Sequence, residues 1–282
     1  MNNTGLALAG VATIAVILGG IAFFMQTGDD APAETTPLVT VEPSPSPTAS
    51  IQYPINTPTP APTPSKQPQP ISPSQAPRST PTPVSLPPLD QSDAVLLQDA
   101  KPLFGSRGLP EFLIPDALIE HLVVTVENLD GNPIRMSYRP TKHVPGQPAS
   151  RRTDGDEAVI YLTEANTRRY TPYVDALDRL NPAQTARLYQ RYYPLFQQAY
   201  KNLGYPNGYF NDRLVAIIDH LLATPTVEYP IQVVQPKVLY EFADPALEEL
   251  SWGQKTLIRT GPSHMATIKR FLKAFRREIT GR

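Results

Sequence analysis

Between Pro32 and Pro88 the chain carries about half of its 34 prolines, in runs such as "PSPSPTAS", "TPTPAPTPSKQPQP" and "STPTPVSLPPL". Proline lacks a backbone N–H and fixes φ, so so dense a tract can sustain neither a helix nor an inner strand. It also has few large apolar side chains with which to offset the entropy of folding. The expectation is a disordered Pro-rich linker over residues 27–89, polyproline-like, with a maximum reach of about 190 Å and a much shorter average span. Its PxxP matches suit an SH3-type groove, but nearly any Pro-rich tract contains them, so the spacer reading is preferred. The tract divides the chain into an N-terminal piece, a linker and a C-terminal part of about 190 residues, enough for one core.

The N-terminal piece is "LALAGVATIAVILGGIAFFM", Leu6 to Met25, an unbroken run of apolar and small residues. As a helix it would reach about 30 Å, the thickness of a bilayer hydrocarbon core. A cleaved signal peptide would have a basic start and a small-residue exit, whereas here the start is "MNNTG" and the exit is Phe23, Phe24 and Met25. Residues 1–26 therefore read as an uncleaved transmembrane anchor that contacts the lipid bilayer through residues 6–25. Neither flank carries Lys or Arg to set orientation. The Pro-rich stalk points to a single-pass protein with its C-terminal part outside the cytoplasm.

Charge excludes one class of partner. Asp29, Asp30, Glu34 and Glu42 precede the first base, Lys66, so residues 66–282 are at +3 within a total of −1. A domain so near neutrality is not a general polyanion binder, and no nucleic acid is expected. The chain has no cysteine, which removes disulfides, thiolate metal sites and cysteine nucleophiles together.

From Asp90 to the C-terminus, helix start and stop signals recur. "SDAVLLQDA" opens on Ser92 or Asp93. "IPDALIEHLVVTVENLDG" has Pro115 at an N1-like position and a stop at Asp130–Gly131. "NPIRMSYRP" and "AVIYL" read as short strands around a polar loop, "GQPASRRTDGDE". "TPYVDALDRL", "NPAQTARLYQRYYPLFQQAYKNLG" and "NDRLVAIIDHLLATP" read as helices, the last capped by Asn211. "YPIQVVQPKVLYEF" is extended, with prolines that suit an edge strand. "DPALEEL", "SWGQKTLIRTG" and "SHMATIKRFLKAFRREITG" complete a domain, residues 90–282, that is mainly α with a few short β-strands. The long helix carries Leu188, Tyr192, Leu195, Ala199 and Leu203 beside Tyr189, Tyr193, Phe196 and Tyr200. Two adjacent stripes predict a central helix packed on more than one side. The last helix has an apolar stripe from Ile268 to Ile279 and a basic remainder. Docking on the core is preferred over a lipid or nucleic-acid surface.

Three segments, "RRYTPYVDAL", "LYQRYYPLFQQAYKNLGYPNGYFNDRLVAIIDHLLATP" and "QPKVLYEFADPALEELSWGQKTLIRTGP", resemble the bacterial family known as domain of unknown function 3014. The layout of membrane segment, Pro-rich tract and domain is also similar. The resemblance implies a bacterial envelope setting, which with the orientation above gives the expectation of an inner (cytoplasmic) membrane protein with its C-terminal domain periplasmic or otherwise extracytoplasmic. It supports the domain boundary but implies no activity and no catalytic residue.

The residues themselves offer no catalytic signature. His121, His143, His220 and His264 show no HxH or HExxH spacing, and GxSxG, Walker and Rossmann patterns are absent. No catalytic residue, metal site or cofactor is assigned. Asp212 with Asp219, and Arg213 with His220, share helix faces at i,i+7; lining one groove is the functional reading, and a solvated or salt-bridged helix face, the commoner outcome, is preferred. The candidate contact patch is the loop "LGYPNGYFND". Gly204, Pro206, Asn207 and Gly208 follow from turn chemistry and Phe210 is assigned to the core, which leaves Tyr205, Tyr209 and Arg213 as binding residues for an envelope protein or glycan partner. The expectation is a membrane-anchored envelope protein presenting a non-catalytic binding or scaffolding domain. A cell-wall-polymer hydrolase or transferase, which would need a deep cleft with two carboxylates, and a cytoplasm-facing membrane-tethered adaptor are the alternatives.

Overall fold

A computed structural model of the chain describes residues 51–55, 86–154 and 158–282. The expected anchor, Leu6–Met25, and most of the expected linker lie outside the described residues. No helix among the described residues is long and apolar enough to cross a membrane. In chain order the elements are α1 (Asp93–Ala100), α2 (Leu118–Asn128), β1 (Ser150–Arg152), β2 (Ile160–Leu162), α3 (Thr171–Asp178), α4 (Pro182–Asn202) and α5 (Phe210–Leu222). β3 (Ile231–Val234), β4 (Glu241–Phe242), α6 (Pro245–Glu248), α7 (Trp252–Thr260) and α8 (Pro262–Thr280) follow. The described chain is thus mainly helical, with one small antiparallel sheet.

Local chemistry explains most helix starts. Asn181 accepts hydrogen bonds from the Ala183 and Gln184 amides at 3.0 and 3.1 Å, with Pro182 in the first turn of α4. Asp244 and Ser251 cap α6 and α7 in the same way. α2 departs from expectation and starts at Leu118, not beside Pro115. Ala117 turns left-handed (φ 44°, ψ 40°), and the Leu118 amide donates to Asp93 Oδ1 of α1 at 2.9 Å. A cap borrowed from 25 residues upstream leaves no local signature.

α8 packs against α3, α4, α5 and α7, and α4 also packs against α2. Both stripes of α4 are buried through Ala199 and Tyr200. Leu203 is the exception, exposed at the helix end. Ile268, Phe271, Leu272, Phe275 and Ile279 of α8 are all buried, so the last helix docks on the core. Its cations meet the fold as well, Arg270 pairing with Asp178 and Arg276 with Asp219.

The sheet runs β1–β2–β3–β4, each pair antiparallel, with Ser150 opposite Leu162, Ile160 opposite Val233 and Val233 opposite Phe242. Two expectations change here. "NPIRMSYRP" forms a 3-10 turn at Met136–Tyr138, and β1 arises inside the stretch read as a polar loop. All three β1 residues are exposed, so an edge strand with no buried face offers no apolar alternation to read. β3 is an inner strand, not an edge, because Pro230 and Pro236 fall just outside its four paired residues. Ile160, Leu162, Ile231, Val233 and Phe242 form a second core with Ile258 of α7, while the adjacent Leu257 faces the main helical core. Neighbours on a helix diverge by about 100°, which lets α7 join the two cores.

Candidate functional site

The α4–α5 connection is built as a rigid shelf. α4 closes in a Schellman motif: the Gly204 amide donates to Lys201 O at 3.1 Å, the Tyr205 amide donates to Tyr200 O at 3.3 Å, and Gly204 takes φ 118°. The turn continues with the Gly208 amide on Tyr205 O at 3.1 Å. A Cβ on Gly208 would lie 2.7 Å from Tyr200 Cε1, so this glycine answers to the approach of a ring. Gln197 clamps the loop to α4, donating to Gly208 O at 2.7 Å and accepting from the Phe210 amide at 2.9 Å. Phe210 is fully buried and stacks on Phe196 at 5.6 Å with an interplanar angle of 10°.

Asn211 does not cap α5, which begins at Phe210 with Tyr209 at the capping position and no side-chain cap. Buried in the first turn, Asn211 accepts from the Tyr189 hydroxyl at 3.1 Å and donates from Nδ2 to Tyr53 O at 2.8 Å. The amide that was expected to terminate a helix instead joins the core to a segment 158 residues upstream.

That segment is Ile51–Ile55, "IQYPI", inside the stretch expected to be a bare spacer. The segment lies against the start of α5 and the side of α8. Asp212 accepts from the Gln52 amide through Oδ2 at 2.9 Å and from the Tyr53 amide through Oδ1 at 2.8 Å. Asn211 takes the Tyr53 carbonyl, and the Tyr209 hydroxyl accepts from the Ile55 amide at 2.7 Å. Pro54, which has no N–H, occupies the position at which no amide is received. Tyr53 and Ile55 are half-buried and pack on the main core, whereas Ile51, Gln52 and Pro54 are exposed, and the chain bends at Gln52 and Tyr53 so that both of their amides face Asp212. The Arg276 guanidinium stands 5.8 Å from the centre of the Tyr53 ring and is held from behind by Asp219 at 2.7 and 2.8 Å. Asp212 and Asp219, one helix face in the sequence, thus border one groove, the first directly and the second through Arg276.

Of the three residues expected to bind, Tyr209 belongs to this groove, and its ring meets that of Tyr193 at 5.4 Å. Burial raises the Tyr193 and Tyr189 hydroxyls well above the usual tyrosine range, which keeps them neutral hydrogen-bonding groups. Tyr205 is 40% exposed and stacks on Tyr200 with centroids 4.7 Å apart. Arg213 bonds Glu127 Oε2 at 2.9 Å, both Asp130 oxygens at 2.8 Å and Glu127 O at 2.7 Å, which ties α5 to α2. Gln197, Asn211, Asp212 and Arg276 were not singled out as binding residues by the sequence. A signal for the docked segment does exist: Tyr53 is the only aromatic residue between Thr27 and Leu89, flanked at alternate positions by Ile51 and Ile55.

The other candidates resolve into structure. His220 lies 2.8 Å from Ser251 Oγ, but Ser251 caps α7 by accepting from the Gln254 amide. A cleft of about 200 Å³ is lined by Glu164, Glu228, Tyr229 and His264, with both carboxylates exposed. It is smaller than the usual 300–1,000 Å³ of a ligand pocket. Among the described residues no group of three or more His, Asp or Glu side chains is placed to hold a metal ion.

Fold and groove together define a mainly helical domain that holds a short, bent peptide segment on side-chain hydrogen bonds. A profile of the family described as "Protein of unknown function (DUF3014)" matches residues 118–276, and the chain belongs to that family. No curated protein and no solved structure matches the chain.

Proposed function

We propose that the chain is a single-pass protein of the bacterial envelope, anchored by Leu6–Met25, whose C-terminal domain is a non-catalytic binding module carried outside the cytoplasm on the Pro-rich tract. The binding reading rests on one observation: the amides of Gln52, Tyr53 and Ile55 and the carbonyl of Tyr53 are each met by a side chain of the folded domain. Recognition of main chain by preset side chains supplies affinity, and pockets for alternate residues supply selectivity. The location rests on the apolar run and the tract that follows it. A photo-crosslinking amino acid in place of Tyr205, on the exposed rim of the loop, tests the reading in intact cells. The expected result is a covalent adduct with another envelope protein, together with digestion of the domain by protease added to spheroplasts. Adducts confined to the chain itself would overturn the binding role. Protection of the domain until the inner membrane is lysed would instead place it on the cytoplasmic side.

A further inference from the structure

We infer that the groove between the start of α5 and the side of α8 is a receptor for linear peptides and that Ile51–Ile55 is its internal, exchangeable ligand. The inference rests on the binding role proposed above and names the surface and the class of partner. The geometry defines that class. The partner is a linear peptide bent so that it presents two consecutive amides to Asp212, an aromatic residue beneath Arg276, a carbonyl to Asn211 and, two residues after the aromatic, an aliphatic residue whose amide reaches the Tyr209 hydroxyl. The position between the aromatic and the aliphatic residue needs no N–H and suits proline.

Two features set Ile51–Ile55 apart from a fixed part of the fold. Its five residues are held through the side chains of Tyr209, Asn211 and Asp212, not through a backbone ladder or an element of their own, and its side chains are at best half-buried. The partners also lie between 154 and 160 residues away in the chain. The fold would therefore keep its core without the segment, since Phe210 stacks on Phe196, Phe196 meets Tyr189 and Tyr189 meets Phe275, a continuous run of ring contacts to which the segment does not contribute. A tethered ligand competes at an effective concentration on the order of 1 mM. If the segment's own intrinsic Kd for the groove is about 0.1 mM, any competing peptide would then appear about tenfold weaker while the segment is present.

The probe is a fluorescent synthetic peptide with the sequence of residues 50–56, titrated by anisotropy into the full chain in detergent. In a variant with Ile51–Ile55 replaced by alternating Gly and Ser, saturable binding is expected, with the wild-type chain at least about tenfold weaker. Probes with Tyr53→Ala or Ile55→Ala should lose binding, and Asp212→Asn in the replaced chain should weaken it at least about tenfold. Absence of probe binding to a replaced chain that keeps the wild-type melting transition would show that the groove is not a peptide receptor, and loss of that transition on replacement would show the segment to be a permanent part of the fold. Equal binding by wild-type and replaced chains would show that the segment does not occupy the groove. A scrambled probe that binds as well as the true one would remove the claimed selectivity. Each of these failures leaves the crosslinking result untouched, so the groove can fail while the envelope binding role stands.

Discussion

Truncating Phe210 to alanine separates the structural aromatics of the "LGYPNGYFND" loop from the exposed one. The Phe210 side chain is fully buried, stacked on Phe196 and tilted against Tyr200 at 5.5 Å. Loss of a buried phenyl group costs about 3–5 kcal/mol, from transfer and from the cavity left behind. The shelf gives that cavity little chance to collapse, because Gln197 pins the Phe210 amide and Gly208 carries the Tyr200 ring at contact distance. The estimate therefore sits near 4 kcal/mol. At about 2–4 °C per kcal/mol for a domain of this size, the melting temperature should fall by roughly 8–16 °C. Tyr205→Ala removes a ring that is 40% exposed with one face on Tyr200, and should cost under about 1 kcal/mol. Thermal melting of both variants by circular dichroism gives the comparison. If Tyr205→Ala proves as costly as Phe210→Ala, the division of this loop into buried support and exposed rim is wrong.

Three further outcomes follow from named contacts. Gly208→Ala places a methyl group against the Tyr200 ring, and should lower stability by about 1–3 kcal/mol in urea unfolding without shifting the m value. Tyr209→Phe keeps the ring and removes the hydroxyl that accepts from the Ile55 amide and hydrogen-bonds Tyr193. It should leave the melting temperature within about 2 °C of wild type while speeding exchange of that amide. Asp130 has its carboxyl held below the ordinary range, first by the hydrogen bond from Arg213 and then by that charge, against burial. A depressed folded pKa stabilises above the unfolded value and is lost as pH falls through the folded one. The deficit of Asp130→Asn relative to wild type should therefore be full at pH 7 and shrink progressively below about pH 4 in pH-dependent urea melts.

Much of the scaffold is legible because its determinants are local. Asn181–Pro182, Asp244–Pro245 and Ser251 announce helix starts by side chains that bond amides two or three residues on. The double stripe of α4 announces a helix buried on two sides, and the structure buries both stripes as far as Tyr200. What is not legible depends on distant partners. Leu118 starts α2 because Asp93 reaches it, and β1 exists because β2 offers it an edge. Asn211 sits where a cap belongs, yet bonds Tyr189 and Tyr53. The groove was half-visible. Turn chemistry left Tyr205 and Tyr209 unexplained, but the occupant lay hidden in a tract whose average composition masks five residues of different character. Arg276 read only as one cation among several on the final helix.

Amide hydrogen exchange at Gln52, Tyr53 and Ile55 in the full chain is the most direct measurement of the docked segment. A hydrogen bond to a charged acceptor contributes about 1.5–3 kcal/mol, so Gln52 and Tyr53 should exchange roughly 10- to 100-fold more slowly than free peptide of the same sequence. Asp212→Asn should return both toward the free-peptide rate while the amides of α4 and α5 keep their protection. Free-peptide rates at Gln52, Tyr53 and Ile55 in the wild-type chain would contradict the account, because they would mean that the groove does not hold this segment in solution.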